Sequence, residues 1–166
     1  LGEFKGQYQE SLSLAMFRAL VGMPSIEPGF PRDRFLSKNY QGLESILLRL
    51  DERKTLSIPV DDRVSALVPF RGYGGVHGGA FKYVSATDVL AKRLPAGSLQ
   101  NKIILVGTTA PGLVDLRVTP VGETYPGVET HANVISGLLD GNVLVKPDYA
   151  VGYDVVMLVI AGLALA

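Results

Sequence analysis

NKIILVGTTAPGLVDLRVTPVGETYPGVETHANVISGLLDG, residues Asn101 to Gly141, joins an apolar run, a Gly-Thr-Thr loop and a helix with start and stop signals. Ile103 to Val106 is short and uninterrupted, the pattern of a strand covered on both faces, and Gly107 ends it. Pro126 to Leu139 predicts a helix with proline at its first turn and Gly141 just beyond its end. On that helix Val128, Ala132, Ile135, Leu138 and Leu139 share a face, and His131 lies at its margin.

Working outward, Ser11 is placed to cap a helix carrying Leu12, Ala15, Met16, Ala19 and Leu20, which Gly22 and Pro24 end. Glu27 to Tyr40, rich in proline and charge, has no sustained period and is expected to be an exposed connector. Ser45 to Leu50 suits strand or helix, whereas Leu56, Ile58 and Val60 alternate cleanly. Asp61-Asp-Arg63 then turns into Val64 to Val68, so an antiparallel meander of two or three strands is expected. Pro59 cannot donate to a ladder, which puts its strand at an edge. Ser85-Ala-Thr-Asp88 has capping-box form and marks a helix start. The strand–helix–strand order through Val64, Ala86 and Ile103 predicts an α/β fold: a single mixed, three-layer-like domain with a central sheet, the meander and flanking helices.

Composition narrows the function. With 166 residues, 47% hydrophobic and 19% charged, the chain is long enough for one folded domain. Sixteen basic and sixteen acidic residues cancel, leaving no positive field for DNA or RNA, so no nucleic-acid partner is expected. The absence of cysteine excludes disulfides and thiolate metal sites. Leu1-Gly-Glu-Phe-Lys-Gly6 has neither the basic flank nor the apolar core of a signal peptide, so the start is read as an internal boundary. Val155 to Ala166 is apolar throughout, and a full span needs about 20 such residues. The expected division is a domain over 1–148 and the start of a transmembrane helix over 149–166, with Asp154 at its water-side border; a buried or partner-packed helix is the alternative.

Candidate chemistry is sparse. Gly107-Thr108-Thr109 would follow the carboxyl end of a strand, where α/β sheets collect ligands, although Pro111-Gly112 prevents a helix from starting there; a tight turn competes with a ligand contact. Asp115 and Arg117, two apart on an extended segment, point the same way and either pair or read a charged ligand. Arg71 either pairs with Asp115 or clamps a carboxylate. His131 is the residue type of a pH sensor or metal ligand, but His77 is the sole other histidine, and a hydrogen bond from His131 to a backbone group is expected instead. The glycine-rich Gly72-Tyr-Gly-Gly-Val-His-Gly-Gly79 lacks the ending and context of a phosphate loop and is expected to be flexible. No nucleophile elbow and no Ser, His and Asp set is evident, so no catalytic residue, metal site or cofactor is assigned.

Val68-Pro-Phe-Arg-Gly72, then Phe81-Lys-Tyr-Val-Ser-Ala-Thr-Asp-Val-Leu90, then Leu94-Pro-Ala-Gly-Ser-Leu99 leading into the apolar run, occur in an order that resembles the membrane-proximal half of a CHASE2 domain, over roughly Leu56 to Gly141. The resemblance implies a non-enzymatic sensory region on the extracytoplasmic side of the cell membrane in a bacterial receptor. Its small-molecule or protein stimulus is unknown, and it would act through a following transmembrane helix on a cytoplasmic adenylate or guanylate cyclase or a protein kinase. It further implies a homodimer and an N-terminal half that this sequence does not contain, but assigns no sensing residue; the residues themselves offer Arg71, Thr108, Thr109, Asp115, Arg117 and His131 as candidate ligand contacts. Two rivals stand beside it: a soluble α/β hydrolase or transferase using the Gly107 to Thr109 loop with Asp115 and His131, and a structural self-association module.

Overall fold

The computed structural model describes residues 1–30, 42–108, 115–145 and 150–165. A hairpin opens the chain, β1 (Gly2–Phe4) pairing antiparallel with β2 (Gln7–Gln9). Lys5 and Gly6 both have positive φ, as a two-residue turn matched to strand twist requires. Helix α1 (Leu12–Leu20) starts where Ser11 Oγ accepts from the Leu14 amide at 3.4 Å, the cap expected from the sequence.

β3 (Ile26–Gly29), β4 (Ser45–Arg49) and β5 (Thr55–Pro59) form an antiparallel sheet in that order. Proline lies in both outer strands, Pro28 and Pro59, where a missing amide breaks no interior ladder. The central strand sends Ile46 and Leu48 inward, Leu48 with no exposed surface, against Leu14 and Phe17 of α1 and Ile58 of β5. Leu138 of α3 (Gly127–Asp140) joins the same cluster and α3 packs against α1, so the sheet, α1 and α3 share one core. A second hairpin, β6 (Leu116–Thr119) with β7 (Gly122–Pro126), leads directly into α3, which ends in the left-handed turn at Gly141.

The mixed α/β class holds, but the single central sheet does not: the described strands form three small antiparallel sheets of two, three and two strands. Residues 64–68 are not the third strand of the meander; β3, from within the expected connector, takes that place. Asp61 Oδ1 accepts from the Arg63 and Ser65 amides at 3.0 and 2.7 Å, closing a tight turn that throws Val64 to φ 60° and breaks the extended conformation. The rest of the connector, 31–40, lies outside the described residues.

Residues 103–106 form no strand either. Ile103, Ile104 and Val106 are 49, 54 and 89% exposed, and no described strand pairs with this run. Apolar composition alone cannot supply a ladder partner. Upstream, α2 (Ala86–Leu90) begins after Ser85 as expected, but no capping box forms: the Ser85 hydroxyl meets Thr87 Oγ1 at 2.6 Å, and Asp88 accepts from Arg93 Nε at 2.8 Å.

The last helix, α4 (Ala150–Leu165), is apolar and its described side chains are exposed on every face. Asp154 is its fifth residue, directly before the apolar run from Val155. None of the described helices is long and apolar enough to cross a membrane.

Candidate functional site

Helix α3 carries two working faces. One turns Leu138, with Val134 beside it, toward α1. The other presents Glu129, Asn133 and Gly137, spaced by four and therefore stacked along one stripe, to residues 69–79. Pro69 rests where a side chain on Gly137 would stand: an added Cβ would lie 2.4 Å from Pro69 Cγ. Asn133, with no exposed surface, accepts from the Arg71 amide at 2.9 Å and donates to the Tyr125 hydroxyl at 2.7 Å and the Glu129 carbonyl at 2.8 Å. Phe70 meets Tyr125 edge to face, centroids 5.1 Å apart.

Glu129 anchors the glycine-rich loop. Its buried Oε2 accepts from the Gly75 amide and the Tyr83 hydroxyl, each at 2.7 Å. Gly75 has φ 93°, a conformation that leaves its amide aimed at the carboxylate and favours glycine there. A Cβ on Gly79 would stand 2.7 Å from Glu129 Oε1, and one on Gly74 as close to the Tyr125 ring. These contacts dock the loop, which its composition alone does not suggest, against α3. Burial, then the bond to Glu129 and its negative charge, push the Tyr83 phenol above the ordinary tyrosine range. Burial also raises Tyr125, offset in part by the bond from Asn133.

Beside this network β6, the start of α3 and Phe70 line an open cleft of about 520 Å³. Three of the expected contacts, Asp115, Arg117 and His131, converge on it. Arg117 Nη2 and Asp115 Oδ1 pair at 3.0 Å, as two residues on one side of an extended segment can. The Asp115 carboxylate also crowds Gly127, the first residue of α3, and so sets negative charge at a helix N-terminus whose cap, Pro126, has no polar side chain. His131 Nδ1 lies 2.8 Å from the hydroxyl of Ser13 in α1, a side-chain partner in place of the expected backbone one. That serine is buried and outside the cleft wall, so the Ser–His contact joins two helices and does not present a nucleophile to a substrate.

The other expected contacts lie elsewhere. Arg71 pairs with Asp140 and not with Asp115: its amide is tied to Asn133, which aims the side chain at the C-terminal turn of α3, where a cation is favoured. Gly107 packs against Val128, and with no strand before it the Thr108 loop is not at a sheet's carboxyl edge; Thr109 is outside the described residues. Sequence reasoning missed Glu129 and Asn133. Their signal was the polar and small residues at 129, 133 and 137, which a search for apolar periodicity passes over. Among the described residues no group of three His, Cys, Asp or Glu is placed to hold a metal ion.

The sequence model of the CHASE2 domain family matches residues 3–166. The chain belongs to the CHASE2 family. CHASE2 domains are sensory, non-catalytic modules of signal-transduction receptors, typically on the extracytoplasmic side of the membrane. No curated protein and no solved structure matches this CHASE2 chain.

Proposed function

We propose that this CHASE2 chain is the extracytoplasmic input domain of a bacterial membrane receptor, and that α4 carries its state into the bilayer toward a cytoplasmic cyclase or kinase. The observation that carries the reading is α4 itself. Apart from Asp154 near its start, its sixteen residues carry no charge on any face, and no described side chain turns into the domain. Such a helix needs lipid or protein around it. At about 1.5 Å per residue it reaches roughly 24 Å, most of a hydrocarbon core.

α3 is the element immediately before α4 in the chain and supplies Gly127, Thr130 and His131 to the cleft. A stimulus that binds two positions of α3 unequally shifts their populations, and the covalent connection passes the shift to α4. A homodimer fits this geometry: the bare run at 103–106 is apolar surface that a second copy would cover.

The test expresses the whole chain, exported, in bacterial cells. The expected result is a membrane fraction that resists carbonate extraction, a domain digested by protease added outside spheroplasts, and a disulfide-linked dimer when Leu158→Cys is introduced into this cysteine-free chain. A freely soluble chain, or one protected from external protease, would overturn the placement; a crosslink-free variant would overturn the dimer.

A further inference from the structure

The cleft beside α3 has a specific charge pattern. One guanidinium and one carboxylate face it, already paired to each other through Arg117 Nη2 and Asp115 Oδ1. Their charges cancel, so the cleft has no field that would gather a polyphosphate or a polycation. Each partner nevertheless has capacity to spare. A single guanidinium nitrogen serves Asp115, leaving further donors for a planar carboxylate, and both side chains are well exposed at 70 and 41%. Asp115 is held at the start of α3 and retains lone pairs on the solvent side.

The remaining wall is of two kinds. Phe70 and Val118 are apolar, and Val118 is almost bare. His131 is tied to Ser13 through Nδ1; when the Ser13 hydroxyl donates, the tautomer left carries its proton on Nε2, free to donate in turn. Thr130 adds a buried hydroxyl with no hydrogen-bond partner among the described residues, a group that folding leaves unsatisfied.

We propose that this cleft binds a small zwitterion, an α-amino acid with an aliphatic side chain. Its carboxylate docks on Arg117 with help from His131, its ammonium on Asp115, and its side chain on Phe70 and Val118. A neutral ion pair thereby meets a neutral ligand with the charges exchanged, and no net charge is buried. A carboxylate alone would have to compete with Asp115 for Arg117, and an amine alone with Arg117 for Asp115. This deepens the reading of the chain as an input domain and rests on it for its biological meaning.

The test is isothermal titration of the whole chain, held in a mild detergent that covers α4, with L-leucine, L-valine, isovalerate, isoamylamine and inorganic phosphate. Saturable binding of leucine or valine is expected, with isovalerate and isoamylamine each weaker by about tenfold or more, as loss of one charge-assisted contact implies. R117Q weakens leucine at least as much without moving the melting temperature, because its side chain is exposed; R117K, keeping the charge but not the fork, falls between. D115N gives the same loss. Isovalerate or phosphate binding as tightly as leucine, leucine binding that survives R117Q, or no binding by either amino acid would overturn the assignment. The titration needs no membrane and no output domain, so a chain that is anchored and externally exposed yet binds no amino acid overturns the site alone.

Discussion

Replacing Glu129 by Gln removes a negative charge from beneath the glycine-rich loop while keeping the side chain's size and one acceptor oxygen. Two donors, the Gly75 amide and the Tyr83 hydroxyl, converge on Oε2 at 2.7 Å each. Hydrogen bonds to a charged group contribute about 1.5–3 kcal/mol against about 1 kcal/mol for neutral pairs. The substitution should therefore cost about 1–4 kcal/mol over the two bonds, and at roughly 2–4 °C per kcal/mol for a chain of this size it lowers the melting temperature by several degrees or more.

A second readout isolates the charge. Unfolded tyrosine ionises near pH 10, whereas folded Tyr83 keeps its proton to higher pH. Above about pH 10 the folded state thus holds more protons than the unfolded one, so stability is fully present below that pH and is lost as pH rises. In Glu129→Gln the bond to a carboxylate and its charge disappear and burial remains, so tyrosinate appears at lower pH and the alkaline loss of stability becomes shallower. Ultraviolet titration of tyrosinate with melting curves across alkaline pH measures both. A variant that melts like the parent with an unchanged tyrosine titration would refute the view that Glu129 holds the loop by its charge.

Gly137→Ala should destabilise by about 1–3 kcal/mol through overpacking against Pro69, against the roughly 1 kcal/mol that alanine adds to a helix interior; a more stable variant by chemical denaturation would show that Pro69 yields freely. Leu48→Ala, at the fully buried centre of the sheet, is expected to cost about 2–5 kcal/mol, whereas Arg71→Gln, breaking the exposed pair with Asp140, costs under about 1 kcal/mol. Equal losses in a denaturant series would mean that Arg71 is doing more than pairing at the surface.

Legibility divided along a physical line. The cap at Ser11, the stop at Gly141, the alternation of β5 and its edge proline are written in residues within a few positions of one another, and all appear in the structure. The Asp115–Arg117 pair was legible for the same reason, since two residues on one extended segment share a side. Residues 103–106 were misread because an apolar run states a demand for burial without naming what will cover it. Arg71 was assigned the wrong partner because its side chain is aimed by a bond from its own amide to Asn133, 62 residues away.

By itself the sequence determined the Ser11 cap, the Gly141 stop, the β5 alternation and, through motifs in order, the family, because helix caps, turn residues and side-chain periodicity act over a few residues. Only the tertiary structure decided that Glu129 and Asn133 are buried anchors and that Asp115, Arg117 and His131 share one cleft. Those outcomes depend on which distant segments meet, and a polar residue becomes an anchor only when another part of the chain removes its water and supplies its hydrogen bonds.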